Sequence, residues 1–323
     1  MGRGLVDSAW GRRFHGILWG LLQEGLSSEG KSRLGIALYD ASEQYRDKPR
    51  YAWEDAWFER WIPRILSEAG ELGAGASSPN GRRVLVGAAG AGREVIAMRE
   101  RGYEVIAIEP SARLAALCRD RVREHEAKSD DAHSSDAPGV TVIEARYEEI
   151  EMSGGRPPAG DARAFFVRRA ARLLRTARAA SGLRPKAEAA SAIGRVDAVI
   201  LGLGSLSHVL DAQARTRLFE VLSEVCPTGP ILASALGPPK GMSIEEARRE
   251  GRAAKIGRRI GARLREARGL PAVDEGEIVF DALGFAKLFT REEMVAIGER
   301  AGRRTIFEEG APDGMWLCAF VPR

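Results

Sequence analysis

Long apolar runs are missing from this chain: no stretch of its 323 residues approaches the roughly 18 consecutive apolar residues that a membrane-crossing helix needs. The N-terminus lacks the apolar core and small-residue cleavage site of a secretion signal, so the expected location is cytoplasmic, with no membrane partner. Cysteine is scarce. Cys118, Cys226 and Cys318 are isolated and odd in number, which argues against a disulfide framework and a cysteine metal knuckle, and no metal is expected. A large excess of one charge is missing too: 49 basic residues face 45 acidic ones, a net charge of +4. Lysine contributes only seven of the basic residues, and so mild an excess does not by itself imply nucleic acid as a partner. The length leaves room for one large domain with additions or for two small ones.

What is present concentrates in residues 82–111, RRVLVGAAGAGREVIAMRERGYEVIAIEPS. Val84, Leu85 and Val86 form a short all-apolar run, suited to a strand buried on both faces of a parallel sheet. A turn follows in which Gly87, Ala88, Ala89, Gly90 and Gly92 offer no side chain larger than a methyl. A ligand can therefore lie against bare backbone N–H groups at the start of the next helix. That helix begins near Arg93 and closes at Gly102, and a second strand, 104–108, leads to Glu109. A carboxylate at this point is placed to accept hydrogen bonds from a ribose diol.

Glycine spacing distinguishes two readings of this unit. A nicotinamide fingerprint is G-x-G-x-x-G, but a frame starting at Gly90 puts Val95 where the third glycine belongs. The segments AAGAGRE and AIEPS instead resemble those of class I S-adenosylmethionine-dependent methyltransferases, whose first loop is usually acid-x-G-x-G-x-G. Two positions depart from the pattern: Val86 stands at the acid and Ala88 at the first glycine. The resemblance implies S-adenosylmethionine as cofactor, cradled by Gly87 to Gly92 and gripped at the ribose by Glu109, with Pro110 and Ser111 beside it. The missing acid leaves the contacts at the methionine end open.

Taken in order, the chain begins with Trp10, Phe14, Ile17, Leu18, Leu21 and Leu22 at helical spacing, the stripe of an amphipathic helix ending near Gly25. Its basic side suits either a membrane surface or docking on its own domain. Next come Tyr39-Asp40 and Tyr45, then Trp53, Trp57 and Trp61 at i, i+4, i+8. The tryptophan face is either glue onto the core or an aromatic wall over a substrate. The Y-D-x-x-x-x-Y pattern resembles the N-terminal lid of many small-molecule methyltransferases, which implies Tyr39 near the cofactor; Tyr45 and, on the aromatic-wall reading, Trp53 and Trp57 are expected near the substrate.

Residues 70–81, GELGAGASSPNG, read as a linker. The polar run 128–139 makes His125 and His133 poor catalytic candidates. Residues 140–143 form a third strand, after which the family resemblance puts the adenine near Arg146 and Tyr147, with Arg146 where an acid is usual. In 152–194, Phe166, Leu173 and Leu174 recur at helical spacing beneath Arg168, Arg169, Arg172, Arg175 and Arg178. That arginine surface is either a solvated face or a phosphate-binding one.

The fourth strand, 196–201, runs into Gly202-Leu203-Gly204-Ser205-Leu206-Ser207-His208, a loop that should face the same crevice as Gly90. The resemblance assigns Gly202, Leu203 and Gly204 to the cofactor. The loop lacks the Asn/Asp-Pro-Pro-aromatic signature of base N-methyltransferases and the nucleophilic cysteine of RNA cytosine C5 enzymes. His208 is the only histidine at a strand's carboxyl end. It reads either as the base that deprotonates a methyl acceptor or as a packing residue of the next helix start. Ser207 and, in the later insertion, Phe285 complete the expected substrate-facing set.

A helix over 212–225 and a fifth strand over 230–236 precede an arginine-rich insertion, which returns through Thr290 and Glu293, a capping box. A helix over 291–301 and a hairpin of 305–308 and 315–321 close the chain. The expected fold is α/β: a doubly wound, mostly parallel seven-stranded sheet with an antiparallel last strand, an N-terminal helical cap and an insertion after strand five. The expected division is a cap over 1–75, a Rossmann-like cofactor core over 76–237, a helical substrate-cap insertion over 238–287, and the end of the core over 288–323. The expected activity is methyl transfer to an oxygen or nitrogen of a small molecule. An RNA-directed enzyme using the arginine helices and a non-catalytic regulatory binder remain alternatives.

Overall fold

The computed structural model describes residues 9–43, 48–62, 83–128, 139–147, 193–247, 252–274, 276–280 and 284–323. Tyr45, the linker 70–81 and the arginine segment 166–178 lie outside the described residues.

The all-apolar run at Val84 becomes strand β1 (Arg83–Gly87), which pairs in parallel with β2 (Glu104–Glu109) on one side and β4 (Ala198–Leu201) on the other. Side chains alternate along these strands, so each face of the sheet has its own core. Leu85, Ile106, Ile108, Val199 and Leu201 fill one face; Val84, Val86, Val105, Ala107 and Ile200 fill the other. β3 (Val140–Glu144) extends the sheet beyond β2, and β5 (Ile231–Leu236) extends it beyond β4. The terminal hairpin, β8 (Arg303–Phe307) and β9 (Met315–Pro322), adds β9 antiparallel to β5. The seven-stranded order is β3-β2-β1-β4-β5-β9-β8, the doubly wound arrangement with an antiparallel last strand expected from the sequence.

Helices cover both faces. α4 (Arg93–Arg99) follows the glycine turn, α5 (Ala112–Lys128) follows Glu109, and α6 (Ala212–Val225) follows β4. α9 (Arg291–Arg300) starts at the Thr290 and Glu293 capping box. The N-terminal segment supplies α1 (Ala9–Gly25), α2 (Ser28–Ala41) and α3 (Ala52–Trp61). The insertion is more than a helical cap. It contains α7 (Ile244–Ala247), α8 (Arg252–Ala267) and a separate hairpin, β6 (Glu277–Phe280) with β7 (Gly284–Lys287).

The N-terminal segment and the insertion pack directly on each other. A Cβ on Gly20 would lie 2.2 Å from the Ala254 carbonyl oxygen, and one on Gly257 would lie 2.0 Å from that of Ile17. Two glycines per helix, Gly16 and Gly20 on α1 with Gly257 and Gly261 on α8, thus let the two backbones touch. Beneath this pair, Lys31 of α2 is buried and ion-paired with Glu277 of β6. Burial lowers the Lys31 pKa and raises that of Glu277, and the pairing opposes both shifts.

Candidate active site

The crevice opens at the carboxyl ends of β1, β2 and β4, where a doubly wound sheet presents ligand sites. Two non-glycine residues there adopt left-handed backbone: Ala88 after β1, with φ 48°, and Leu203 after β4, with φ 44°. Such conformations cost about 1–3 kcal/mol each and cluster at functional loops. Gly90, also left-handed at φ 55°, has nothing within 4 Å of where a Cβ would stand, so the turn is open above its backbone.

Glu109 closes the turn from below. Its carboxylate accepts the Gly90 N–H at 2.7 Å and the Ser111 N–H at 2.8 Å. Burial pushes its pKa up to about 7, against the two backbone donors that favour the charged form, and the nearby Asp40 and Glu94 carboxylates push the same way as burial.

The opposite wall comes from the cap. Tyr39 of α2 places its hydroxyl 2.8 Å from Nε2 of His208, with the two rings edge to face at 5.5 Å. His208 ends a short 3-10 turn, Ser205–His208, not the first turn of an α-helix. Its Nδ1 lies 3.1 Å from the backbone carbonyl oxygen of Phe285. A carbonyl can only accept, so this pairing assigns the neutral ring's proton to Nδ1 and leaves the Nε2 lone pair facing the Tyr39 hydroxyl. Burial lowers the pKa of His208, more than the Phe285 carbonyl raises it, so the ring is neutral at pH 7.

Among the sequence candidates, Ala88, Ala89, Gly90, Glu109 and Pro110 line the crevice from the nucleotide side, Arg146, Tyr147, Gly202 and Leu203 from the neighbouring strand ends, and Tyr39, His208 and Phe285 from the cap side. Several others serve the framework instead. A Cβ on Gly87 would meet Leu201 and the Tyr147 hydroxyl at 2.6 Å, one on Gly92 would meet the Cys118 sulfur at 2.9 Å, and one on Gly204 would touch Leu236 at 3.4 Å. Gly87 and Gly92 allow close packing, Gly204 supplies a left-handed backbone at φ 73°, and none of the three lines the crevice. Ser111 turns its hydroxyl to the Asp40 carboxylate and accepts the Leu114 N–H at 3.1 Å, tying the cap to the start of α5.

The expected substrate set needs correction. Trp57 is 2% exposed and packs with Phe58 and Ile62 on the sheet face of Val84 and Val86. Trp53 stacks on Tyr51 at 5.6 Å, and Trp61 donates to Glu308. The tryptophan ladder is therefore glue, because i, i+4, i+8 spacing aims it at the core that α3 covers. Ser207 is wholly buried and accepts the Leu236 N–H at 2.7 Å, so it fastens the loop to β5. Its neighbour Ser205 lines the crevice instead, with a hydroxyl that has no hydrogen-bond partner among the described residues.

Glu94 is the main residue that sequence reasoning missed. It sits in the first turn of α4, lines the crevice and pairs with Arg93 at 2.6 Å. A Cβ on Gly202 would come 2.6 Å from its carboxylate oxygen, so Glu94 lies across the end of β4. An acid directly after a glycine-rich turn was the available signal. Arg93 also pairs with Glu54 of α3 at 2.7 Å, yet burial and the Glu94 charge push the Glu54 pKa up to about 7.

The strand order, with β9 inserted antiparallel between β5 and β8, is that of the class I methyltransferase fold, and the crevice sits at that fold's ligand edge. No protein-family model matches the chain, and no curated protein sequence does. Among solved structures it is similar to a 1,6-didemethyltoxoflavin N1-methyltransferase of Burkholderia thailandensis with bound 1,6-didemethyltoxoflavin and S-adenosylhomocysteine, at 13% identity over 90% of this chain and 84% of that one, TM-score 0.45. It is also similar to the glycopeptide N-methyltransferase MtfA complexed with S-adenosylmethionine, at 17% identity over 76% of this chain and 90% of that one, TM-score 0.43. A third is a Methanosarcina mazei protein described as an S-adenosylmethionine-dependent methyltransferase, at 13% identity over 76% and 94%, TM-score 0.42. The fold assignment itself stands on the strand order and directions.

Proposed function

We propose that the protein is an S-adenosylmethionine-dependent methyltransferase acting on an oxygen or nitrogen of a small molecule. The observation that carries this reading is the pairing, across one crevice, of an open glycine turn braced by Glu109 with a neutral His208 whose Nε2 faces Tyr39. The residues present fit the cofactor. The bare backbone around Gly90 suits close approach of a ligand, and Glu109 keeps a free lone pair on each carboxylate oxygen for ribose hydroxyls after accepting its two backbone donors. Glu94 stands near the strand end where the absent acid at Val86 would act, and its carboxylate suits the ammonium of the methionine end. When bound, S-adenosylmethionine supplies an electrophilic methyl group.

The chain's own residues would do the rest by orientation and proton removal. Tyr39 and His208 form a proton path: as the acceptor loses its proton, the Tyr39 hydroxyl passes one to Nε2 while Phe285 holds Nδ1–H in place. Walls from Ile36, Leu203, Val209 and Phe285 limit water at the acceptor side, and the crevice is enclosed by α2 and β7, which suits a small substrate over a polymer.

Calorimetry with S-adenosylmethionine, S-adenosylhomocysteine and NAD tests the cofactor. Binding of either sulfur compound is expected, and heat from NAD alone would overturn the assignment. A methylation screen over a metabolite library, repeated at low and moderate salt, then tests the acceptor. Turnover of a neutral compound that ignores salt supports the small-molecule reading, whereas a steep salt loss on RNA would replace it.

A further inference from the structure

The face of the α1 and α8 pair that points away from the crevice is apolar and exposed. Leu18 is 41% exposed, and Ile256, Ile260 and Leu264 are 49%, 43% and 46% exposed. These are large aliphatic side chains, and on α8 they recur at i, i+4, i+8, which puts them on one stripe.

Helix geometry joins the two stripes. Gly16 of α1 meets Ala253, Gly20 meets Ala254 and Arg258, and Gly261 meets Leu21 and Glu24, so the helices run parallel. Ile17 and Leu21, both half-buried, follow the contact glycines of α1 by one residue, with exposed Leu18 further round on the same side, whereas Ile256 and Ile260 precede those of α8 by one. In a parallel pair, these two offsets fall on the same side. The other side belongs to the body of the protein: Trp19 packs on Phe285 at 5.7 Å, and the Gln23 side-chain amide donates to the Glu277 carbonyl at 2.8 Å.

The stripe is edged with positive charge. Arg252, Arg259 and Arg263 lie four before, three after and seven after Ile256, so they border it along α8, with Lys255 nearby; all four are exposed. Glu266 is the one exposed acid of the helix, but Lys255 and Arg259 also line a cleft that holds Glu245 and Glu246 of α7 and Glu292 and Glu293 of α9, so Arg252 and Arg263 are the basic residues that border the stripe away from those acids. The inward arginines are engaged elsewhere: Arg258 pairs with Glu24, and Arg265 donates to the carbonyls of Glu24, Leu26 and Pro271. No described helix is long and apolar enough to cross a membrane, and lipid contact by α1 and α8 would lie along a surface.

We propose that this face docks on an anionic lipid bilayer, with α1 and α8 lying in the headgroup plane. Exposed aliphatic side chains bordered by arginine match the apolar boundary and negative potential of such a surface. In a two-fold contact that pairs the α8 helices antiparallel, a second copy of the chain would set the arginine row of one protomer near that of the other. The arginine-rich segment 166–178 carries the same sign of charge and does not complement the row either. The proposal does not depend on the methyl-transfer reading.

Co-sedimentation of the full chain with vesicles tests it, comparing phosphatidylcholine alone with an equal mixture of phosphatidylcholine and phosphatidylglycerol. Binding to the anionic vesicles alone is expected, weakening as salt is raised. Ile260→Asp, and separately the pair Arg252→Glu with Arg263→Glu, should each lower the partition coefficient by about tenfold or more. Both sets of positions are exposed, so melting temperature and cofactor affinity should stay at the wild-type values. Absence of binding to anionic vesicles overturns the proposal, as does equal binding to neutral ones. A solution dimer that Ile260→Asp splits, without vesicle binding by the wild type, would assign the face to a second copy instead.

Discussion

The hydroxyl of Tyr39 and Nε2 of His208, 169 positions apart in sequence, stand 2.8 Å from each other on one wall of the crevice. If this pair removes the acceptor proton, His208→Ala should lower kcat by about 10²–10⁴-fold with cofactor affinity nearly unchanged. Tyr39→Phe should lower kcat in the same direction while leaving the imidazole in place. Because burial holds His208 below its ordinary 6.5, the wild-type acidic limb should lie below that value, and it should vanish in the alanine variant. Activity within a few-fold of wild type, in a folded variant that still binds cofactor, would make His208 a packing residue.

Glu109 is expected to grip the ribose. Measured at pH 8, above the Glu109 pKa of about 7, Glu109→Ala should weaken S-adenosylmethionine binding by about 1–3 kcal/mol, the scale of hydrogen bonds to a charged group. Titration calorimetry reads this directly, and an unchanged dissociation constant in a folded variant would place the ribose elsewhere.

Glu54 and Glu109 also make a stability prediction. Both have folded-state pKa values raised to about 7 from 4.5, so the folded protein binds more protons than the unfolded chain between those limits. Their contribution is therefore fully present below 4.5 and is lost as pH rises through 7. The cofactor-free melting temperature should fall between pH 5.5 and pH 8 relative to Glu54→Gln, whose curve should be flatter over the same range. A wild-type curve no steeper than that of the variant would show that Glu54 keeps an ordinary pKa.

Trp57 should behave as core. Trp57→Ala should cost about 3–5 kcal/mol of stability, the range for deleting a buried aromatic, measured by denaturant unfolding. Cofactor affinity of the folded fraction should be retained. A variant of near wild-type stability that had lost only substrate affinity would restore the aromatic-wall reading.

The glycine contact between α1 and α8 should not tolerate side chains. Gly257→Leu would drive a Cβ to 2.0 Å from the Ile17 carbonyl oxygen, so the helices must separate, at a cost of about 1–3 kcal/mol or more. Increased protease cleavage within the cap, with the sheet's amide protons still protected, is the expected signature.

The core was legible in the sequence because it is built from local signals. The apolar run at Val84, the small-residue turn to Gly92, Glu109 at the end of the next strand and the Thr290 and Glu293 box each announce an element within a few residues. Their order fixed the sheet, since parallel strands with crossover helices leave few topologies open. The site was only partly legible. Glu109, Gly90, Tyr39 and His208 were placed in the crevice, but Ser205 rather than Ser207 faces it, because the 3-10 turn after Gly204 directs one serine into the crevice and the other to β5. The sequence could also offer the tryptophan ladder to core or substrate alike, since helical spacing names a face and not what lies beneath it. Only tertiary packing decided that Trp57 meets Val84 and Val86, and that Glu94 lies over Gly202 near the place left empty by Val86. The same holds for Tyr39 and His208: a contact across 169 residues leaves no periodicity or spacing to read, and it exists only because α2 and the turn after β4 close on one crevice.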